Sequence, residues 1–265
     1  RVNPLRASRA EVADWLDEHD VVYVDSPYLD DHLCLKRLQT LIAEGLLDDG
    51  KVAVQDESAG LVVELLDPRP GETVIDGCAA PGGKTMHAAA RMDGDGTIYA
   101  VDRNAQRLER VAEAAETQGV TDVVQAETAD LRSWADQPDP PQADRVLLDV
   151  PCTGLGVLAK RADLRWRRTP EDLEEMVALQ DELLDAAAAL VKPGGLLVYS
   201  TCTIEPEENE QRIDAFLARH VEFTLESAAG HVPDEMVSES GFLATLPQQH
   251  RMDGAFAARL RRVES

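Results

Sequence analysis

At 265 residues the chain is long enough to bury a full core, and it suits one α/β domain of about 200 residues with a smaller unit attached. No apolar run approaches the roughly 20 residues of a membrane helix, no basic-then-apolar leader opens the chain, and Cys34, Cys78, Cys152 and Cys202 lack CxxC spacing, so a membrane span, a zinc site and a disulfide framework are all unexpected. The formal charge of −24 argues against a nucleic-acid partner, although 21 Arg against 5 Lys amid dense Asp and Glu fits a surface adapted to high salt, where screening over about 3 Å at 1 M mutes repulsion.

The chain opens on Arg1 rather than Met, which suggests a piece of a longer protein. Residues 1–55 mix a short helix (10–18), an apolar strand (21–24) and a second helical run (33–42), and read as a small α/β appendage. Val54-Gln-Asp-Glu-Ser58 then caps a helix over 58–66, and Pro68, Pro70 and Gly71 mark the entry to a larger unit over 56–265. Strands and helices alternate from there: strand 73–76, helix 84–92, strand 97–102, helix 105–117, strand 123–126, strand 145–149, helix 170–190 and strand 195–200. Such alternation with apolar strands predicts a doubly wound, mostly parallel sheet of Rossmann-like type. Residues 136–141 form a Pro-rich connection, a helix follows over 206–219, and residues 254–262 are expected as an antiparallel edge strand.

The segment Val74-Ile-Asp-Gly-Cys-Ala-Ala-Pro-Gly-Gly-Lys-Thr85 couples a strand to a glycine turn and a helix start, which is how an α/β sheet builds a cofactor site. A phosphate-cradling loop would need Gly five positions before its Gly-Lys-Thr, where Cys78 stands. The later Arg145-Val-Leu-Leu-Asp149 still resembles a magnesium-holding strand, so an ATPase using Lys84, Thr85 and Asp149 is one alternative. The dinucleotide pattern GxGxxG is absent. The remaining option is a methyltransferase that holds S-adenosylmethionine at the strand ends and needs a carboxylate for the ribose. Asp102 meets that need, about 20 residues after the glycines.

Residues just beyond each strand should converge: Asp76 and Cys78, Asp102, Asp130, Asp149 to Cys152, and Thr201-Cys202. Asp102 and Asp130 are assigned to the ribose and adenine of the cofactor. In Asp149-Val-Pro-Cys-Thr153 a thiol stands where amine methyltransferases place an aromatic. Two thiols at neighbouring strand ends point to methylation of a pyrimidine carbon, because carbon 5 of cytosine becomes nucleophilic only after a thiolate adds to carbon 6. Lys160, Arg161, Arg165, Arg167 and Arg168 surround Trp166, and a basic patch with an aromatic suits single-stranded RNA, the alternative being a solvated face.

Cys78-Ala-Ala-Pro-Gly-Gly-Lys84, Asp149-Val-Pro-Cys-Thr-Gly154 and Ser200-Thr-Cys-Thr203 with Glu208-Asn209 closely resemble the RNA (cytosine-5) methyltransferases of the RsmB/Nop/Sun group. Arg1-Val-Asn3, residues 54–58 and Met252-Asp-Gly254 look most like its bacterial RsmB (Sun/Fmu) branch, which modifies 16S ribosomal RNA. The resemblance implies Cys202 as nucleophile and Cys152 in product release. It implies a cofactor site of Cys78, Ala79, Ala80, Pro81, Gly82, Gly83, Lys84, Asp102, Arg107, Asp130 and Asp149, with Asp149 also near the target base. It further implies RNA binding by residues 1–55, no metal, and a cytoplasmic monomer. Gly77, Val150, Thr153 and Ala255 depart from the group's usual residues, and the upstream helical domain usual in this branch lies outside the chain. Transfer RNA is the alternative substrate, and an RNA-binding or assembly factor without catalysis is the remaining rival.

Overall fold

The computed structural model describes residues 1–264. In chain order the first elements are α1 (Arg9–Glu18), β1 (Tyr23–Asp25), β2 (Leu33–Leu35), α2 (Gln39–Ala43) and α3 (Glu57–Leu66). The sheet unit continues with β3 (Thr73–Asp76), α4 (Gly83–Arg91), β4 (Thr97–Asp102), α5 (Ala105–Gln118), β5 (Val124–Thr128), α6 (Leu131–Ala135) and β6 (Ala143–Asp149). It ends with α7 (Leu164–Arg167), α8 (Pro170–Leu190), β7 (Val191–Thr201), α9 (Glu210–Arg219), β8 (Phe223–Glu226), β9 (Leu243–Thr245), α10 (Pro247–His250) and β10 (Ala255–Arg262).

The large sheet runs β5-β4-β3-β6-β7-β10-β8, with β9 paired to β10. Its first five strands are parallel, and β10 runs antiparallel to β7 and β8. Chain order reverses between β3 and β6, so the loops after these strands part and leave a crevice at their carboxyl ends. Alternating residues supply the two faces. Val74, Leu147 and Val198 pack beneath α3, α4 and α5, whereas Ile75, Leu148 and Tyr199 pack against α6, α8 and α9. Each such fully buried aliphatic contributes about 1.5–3 kcal/mol.

Helix α8 begins where Thr169 and Asp172 form a reciprocal capping box with Pro170 at the first helical position, and its inner face carries Gln180, Leu183, Leu184 and Ala187. That start fixes the height at which Gln180 meets the loop after β6. Residues 1–55 have their own small core of Val2, Val12, Leu16, Leu33, Leu41, Leu46 and Val52. They dock on the end of α5, where Arg1 donates to the Gln118 side chain (2.9 Å) and Asn3 to the Gln118 carbonyl (3.2 Å).

Three expectations need correction. The 33–42 run is not one helix: residues 33–35 pair with β1, and only residues 39–43 are helical. Leu33 and Leu35 follow a period of two, and pairing with a neighbouring strand overrides the helical spacing of Leu38 and Leu41. The 254–262 strand is antiparallel but not at an edge, since β8 takes that place. Its arginines suggest exposure. Arg259 is nonetheless buried, paired with Glu226 at 2.8 Å and capping the last turn of α3 through the Leu65 carbonyl, beside Arg145 on the Leu66 carbonyl at 2.6 Å. Helix α9 also starts at Glu210, with Pro206 to Asn209 forming a turn before it.

Candidate active site

The loops after β3, β4, β5, β6 and β7 meet at the crevice. The loop after β3 turns at Gly82, whose φ of 103° only glycine adopts without strain, and whose Cα side packs on Val111 of α5. Gly82 is therefore buried against a helix, while Cys78 and Ala80 face a cavity of about 340 Å³. Ala79, Pro81, Gly83 and Lys84 instead line an adjoining cavity of about 220 Å³, which Asp76 and Asp149 also border.

Asp102 and Asp130 stand on the wall of the larger cavity with Arg107, Leu131, Leu179 and Leu183. One Asp102 oxygen accepts the Ala80 N–H (3.1 Å) and the other the Asn104 N–H (2.8 Å), so the carboxylate spans β4 and the glycine loop. Arg107 donates to the Ala80 carbonyl and braces the same loop from α5. Asp130 caps α6 through the Arg132 N–H (3.0 Å) and chelates the Arg132 side chain, whose hydrogen bonds hold it below the usual carboxylate range. Neither carboxylate has exhausted its acceptor capacity. A cavity of this volume, apolar on the Leu179 and Leu183 side and anionic at Asp102, fits a nucleoside with its ribose hydroxyls toward Asp102.

At the other rim the Cys152 and Cys202 sulfurs are 3.2 Å apart. Strand register brings them together, since Asp149 pairs with Ser200 across β6 and β7 and each cysteine follows within three residues. Asp149 accepts from Lys84 Nζ (2.7 Å) on one oxygen and from Ser200 Oγ (2.7 Å) on the other. The hydrogen bond from Cys152 lowers the Cys202 thiol, helped by nearby Lys84 and opposed by burial and Asp149. The same contact, with burial, raises Cys152 well above the usual thiol range. Cys202 is the exposed member of the pair. Beneath them, burial pushes Asp76 up to about 7 against the opposing hydrogen bond from Thr85. Burial and nearby carboxylates raise the Cys78 thiol further.

The basic cluster does not act as one face. Lys160 bridges Asp56 and Asp253, the latter at 2.8 Å. Arg168 points inward, donating to the Thr153 carbonyl (2.7 Å) and the Cys152 carbonyl (3.5 Å). Arg161, Arg165 and Arg167 remain at the surface around Trp166, which is 85% exposed; Arg167 reaches Asp163 at 3.4 Å. Of the residues that hold the two cysteine loops, Thr153, Thr203, Glu208 and Asn209 lie in the sequence motifs without a role of their own there, and Gln180 is not among the candidates drawn from sequence. A buried polar residue amid apolar neighbours, as Gln180 is on α8, was the available signal.

This sheet order, with its cavity at the reversal point, defines the class of S-adenosylmethionine-dependent methyltransferases with a Rossmann-like fold. The family model for 16S rRNA methyltransferase RsmB/F matches residues 63–261, and the chain belongs to that family. It is 42% identical to a Synechocystis sp. protein described as a probable ribosomal RNA small subunit methyltransferase B, over 99% of this chain and 59% of that one. A Bacillus subtilis protein of the same description is 35% identical with the same coverage, so the chain spans about 59% of the length of these relatives. A solved methyltransferase homolog protein from Pyrococcus horikoshii superposes with a TM-score of 0.85 at 30% identity, covering 99% of this chain and 85% of that one.

Proposed function

We propose that this chain is the catalytic part of an enzyme that methylates carbon 5 of a cytosine in small-subunit ribosomal RNA through a covalent bond from Cys202. The observation that carries this reading is the pair of thiols 3.2 Å apart at the rim of a nucleoside-sized cavity. A methyl acceptor with its own lone pair needs no thiol, whereas carbon 5 of cytosine does.

Cys202 Sγ adds to carbon 6, and the ring electrons displaced by the new S–C bond make carbon 5 nucleophilic. Its lowered thiol pKa raises the share of thiolate available. S-adenosylmethionine bound in the larger cavity supplies an electrophilic methyl group. Asp102 holds its ribose, with Asp130 further along the same wall, and Leu179 and Leu183 form an apolar wall. Asp149, oriented by Lys84 and Ser200, presents a fixed carboxyl to the amine edge of the base. To finish, the carbon-5 proton leaves to a base, its C–H electron pair becomes the C5–C6 double bond, and the S–C6 pair returns to Cys202. Cys152 serves this last step. Its sulfur lies 3.2 Å from Cys202 Sγ, beside the site where the carbon-5 proton must leave, and the contact that most raises its pKa is lost once Cys202 is bonded to the base.

Residues 1–55 and the exposed Arg161, Arg165 and Arg167 around Trp166 form the RNA-contacting surface in this reading. The test is incubation of the chain with S-adenosylmethionine and unmodified 16S rRNA, followed by bisulfite sequencing. A cytosine newly protected from deamination is expected; methyl incorporation without such a cytosine would overturn the assignment to carbon 5.

A further inference from the structure

The turn before α9 places two consecutive side chains on two different loops. Glu208, fully buried, accepts from the Thr153 N–H (2.9 Å), from the Thr153 hydroxyl and from Gln180 Nε2 (2.8 Å). Gln180 Nε2, also fully buried, donates in addition to the Pro151 carbonyl (2.9 Å). Glu208 and Gln180 thereby hold the residues on both sides of Cys152. Asn209 instead accepts from the Thr201 hydroxyl (2.6 Å) and donates to the Thr203 carbonyl (3.2 Å), holding both sides of Cys202. The two halves are linked by the Thr153–Thr203 hydroxyl contact at 2.9 Å and by the Gly156 N–H on the Cys202 carbonyl at 3.0 Å. Tyr199 fixes the turn itself by donating to the Glu208 carbonyl (2.7 Å).

We infer that Glu208, with Gln180, is a positioning residue for Cys152 and hence for adduct resolution, while its neighbour Asn209 positions Cys202 and hence adduct formation. This rests on the covalent mechanism proposed above. None of these side chains reaches the thiols directly, so each acts by fixing backbone whose displacement would open the 3.2 Å contact. The division of labour follows from geometry, since a change at Glu208 leaves the Asn209 bonds to residues 201 and 203 in place. Glu208→Gln keeps the volume and, with its carbonyl on the Thr153 N–H and Gln180 Nε2, puts an amide donor against the Thr153 hydroxyl, which must then reverse from donor to acceptor and re-form its contact with Thr203.

Glu208→Gln is therefore expected to behave as a weaker Cys152→Ala. In single-turnover assays methyl transfer persists, multiple turnover falls by about 10-fold to 100-fold, as misplacement near 1 Å does, and a denaturant-resistant protein–RNA adduct builds up. Asn209→Ala should instead reduce the adduct in a Cys152→Ala background. A purely structural role would lower the melting temperature and slow transfer and resolution together, with no adduct. Gln180→Leu, which removes the Pro151 link, provides the same test if Glu208→Gln does not fold.

Capture of both thiols by phenylarsine oxide, read by mass spectrometry without RNA, isolates the positioning claim. Wild type should be captured rapidly, and Glu208→Gln about 10-fold more slowly, because bridging depends on thiol spacing. If Cys152→Ala yields no adduct, the covalent mechanism falls and the assignment of steps with it. If Cys152→Ala yields adduct while Glu208→Gln and Gln180→Leu match wild type in turnover and capture, the positioning inference alone is overturned.

Discussion

The thiol pair and the 160–168 segment are close in space but differ in how they are held. Around the thiols, the carbonyls of Pro151, Cys152, Thr153 and Cys202 are each occupied by a donor fixed elsewhere: Gln180, Arg168, Arg168 again and the Gly156 N–H. In the 160–168 segment Lys160, buried Leu164 and Arg168 are tied down, while Arg165, Trp166 and Arg167 project into solvent. The first arrangement pays its ordering entropy on folding and leaves little motion to freeze when chemistry begins. The second keeps side-chain freedom and a charge that salt can screen, which suits contact with a flexible polyanion. Arg168 is the side chain that ties the exposed segment to the ordered thiol loop.

The largest effects belong at the rigid end. Cys202→Ala should abolish turnover and form no adduct, whereas Cys152→Ala should accumulate adduct on denaturing gels when S-adenosylmethionine is present. Adduct from Cys202→Ala alone would reverse the roles. The thiol contact also makes a pH prediction. Cys202 lies below and Cys152 above the usual value of 9.0, so as pH rises toward 9 Cys202 becomes thiolate first and should react first with iodoacetamide. Cys202→Ala removes the largest cause of the Cys152 shift, and Cys152 should then alkylate faster at the same pH. Mass-spectrometric mapping of the alkylated site checks both outcomes.

At the cofactor wall, Asp102→Ala removes charge-assisted bonds worth about 1.5–3 kcal/mol, or about 10-fold to 150-fold in affinity for S-adenosylhomocysteine. Because Asp102 also receives the Ala80 and Asn104 N–H groups, some stability should be lost as well. Calorimetry with a parallel melt separates the two. Unchanged affinity would remove Asp102 from the ribose site.

The site was legible in sequence where strand ends determine position. Asp102, Asp149, Cys152 and Cys202 each follow an apolar run, and parallel register brings such positions to one edge whatever lies between them. The glycine loop was legible too, except that Gly82 serves packing against Val111. Sequence proximity was a poor guide in the basic cluster, because a turn and one short helix rotate neighbouring cations to opposite sides, leaving Lys160 on Asp56 and Asp253 and Arg168 on the thiol loop. The Glu208 and Gln180 contacts span 55 and 28 residues and carry no local periodicity, so only the folded chain displays them. The place of β10 inside the sheet was hidden for a related reason: Arg259 is buried by partners on α3 and β8 that its own strand does not announce.

Smaller effects test where rigidity gives way to recognition. Arg168→Ala deletes bonds to two carbonyls and, at a half-buried site, should cost about 1.5 kcal/mol of stability, visible as a lower melting temperature. Its RNA salt dependence should hardly change. Arg165→Ala with Arg167→Ala should do the opposite: folding stability stays within about 0.5 kcal/mol of wild type, since exposed charges contribute little to folding. Each lost phosphate contact should flatten the slope of log affinity against log salt by about 0.7 on single-stranded RNA. The double variant is therefore expected to lose about 1.4 in slope if both arginines meet phosphate. A slope that instead falls for Arg168→Ala, with the Arg165/Arg167 pair silent, would move the RNA contact onto the rigid side and erase the distinction between the two regions.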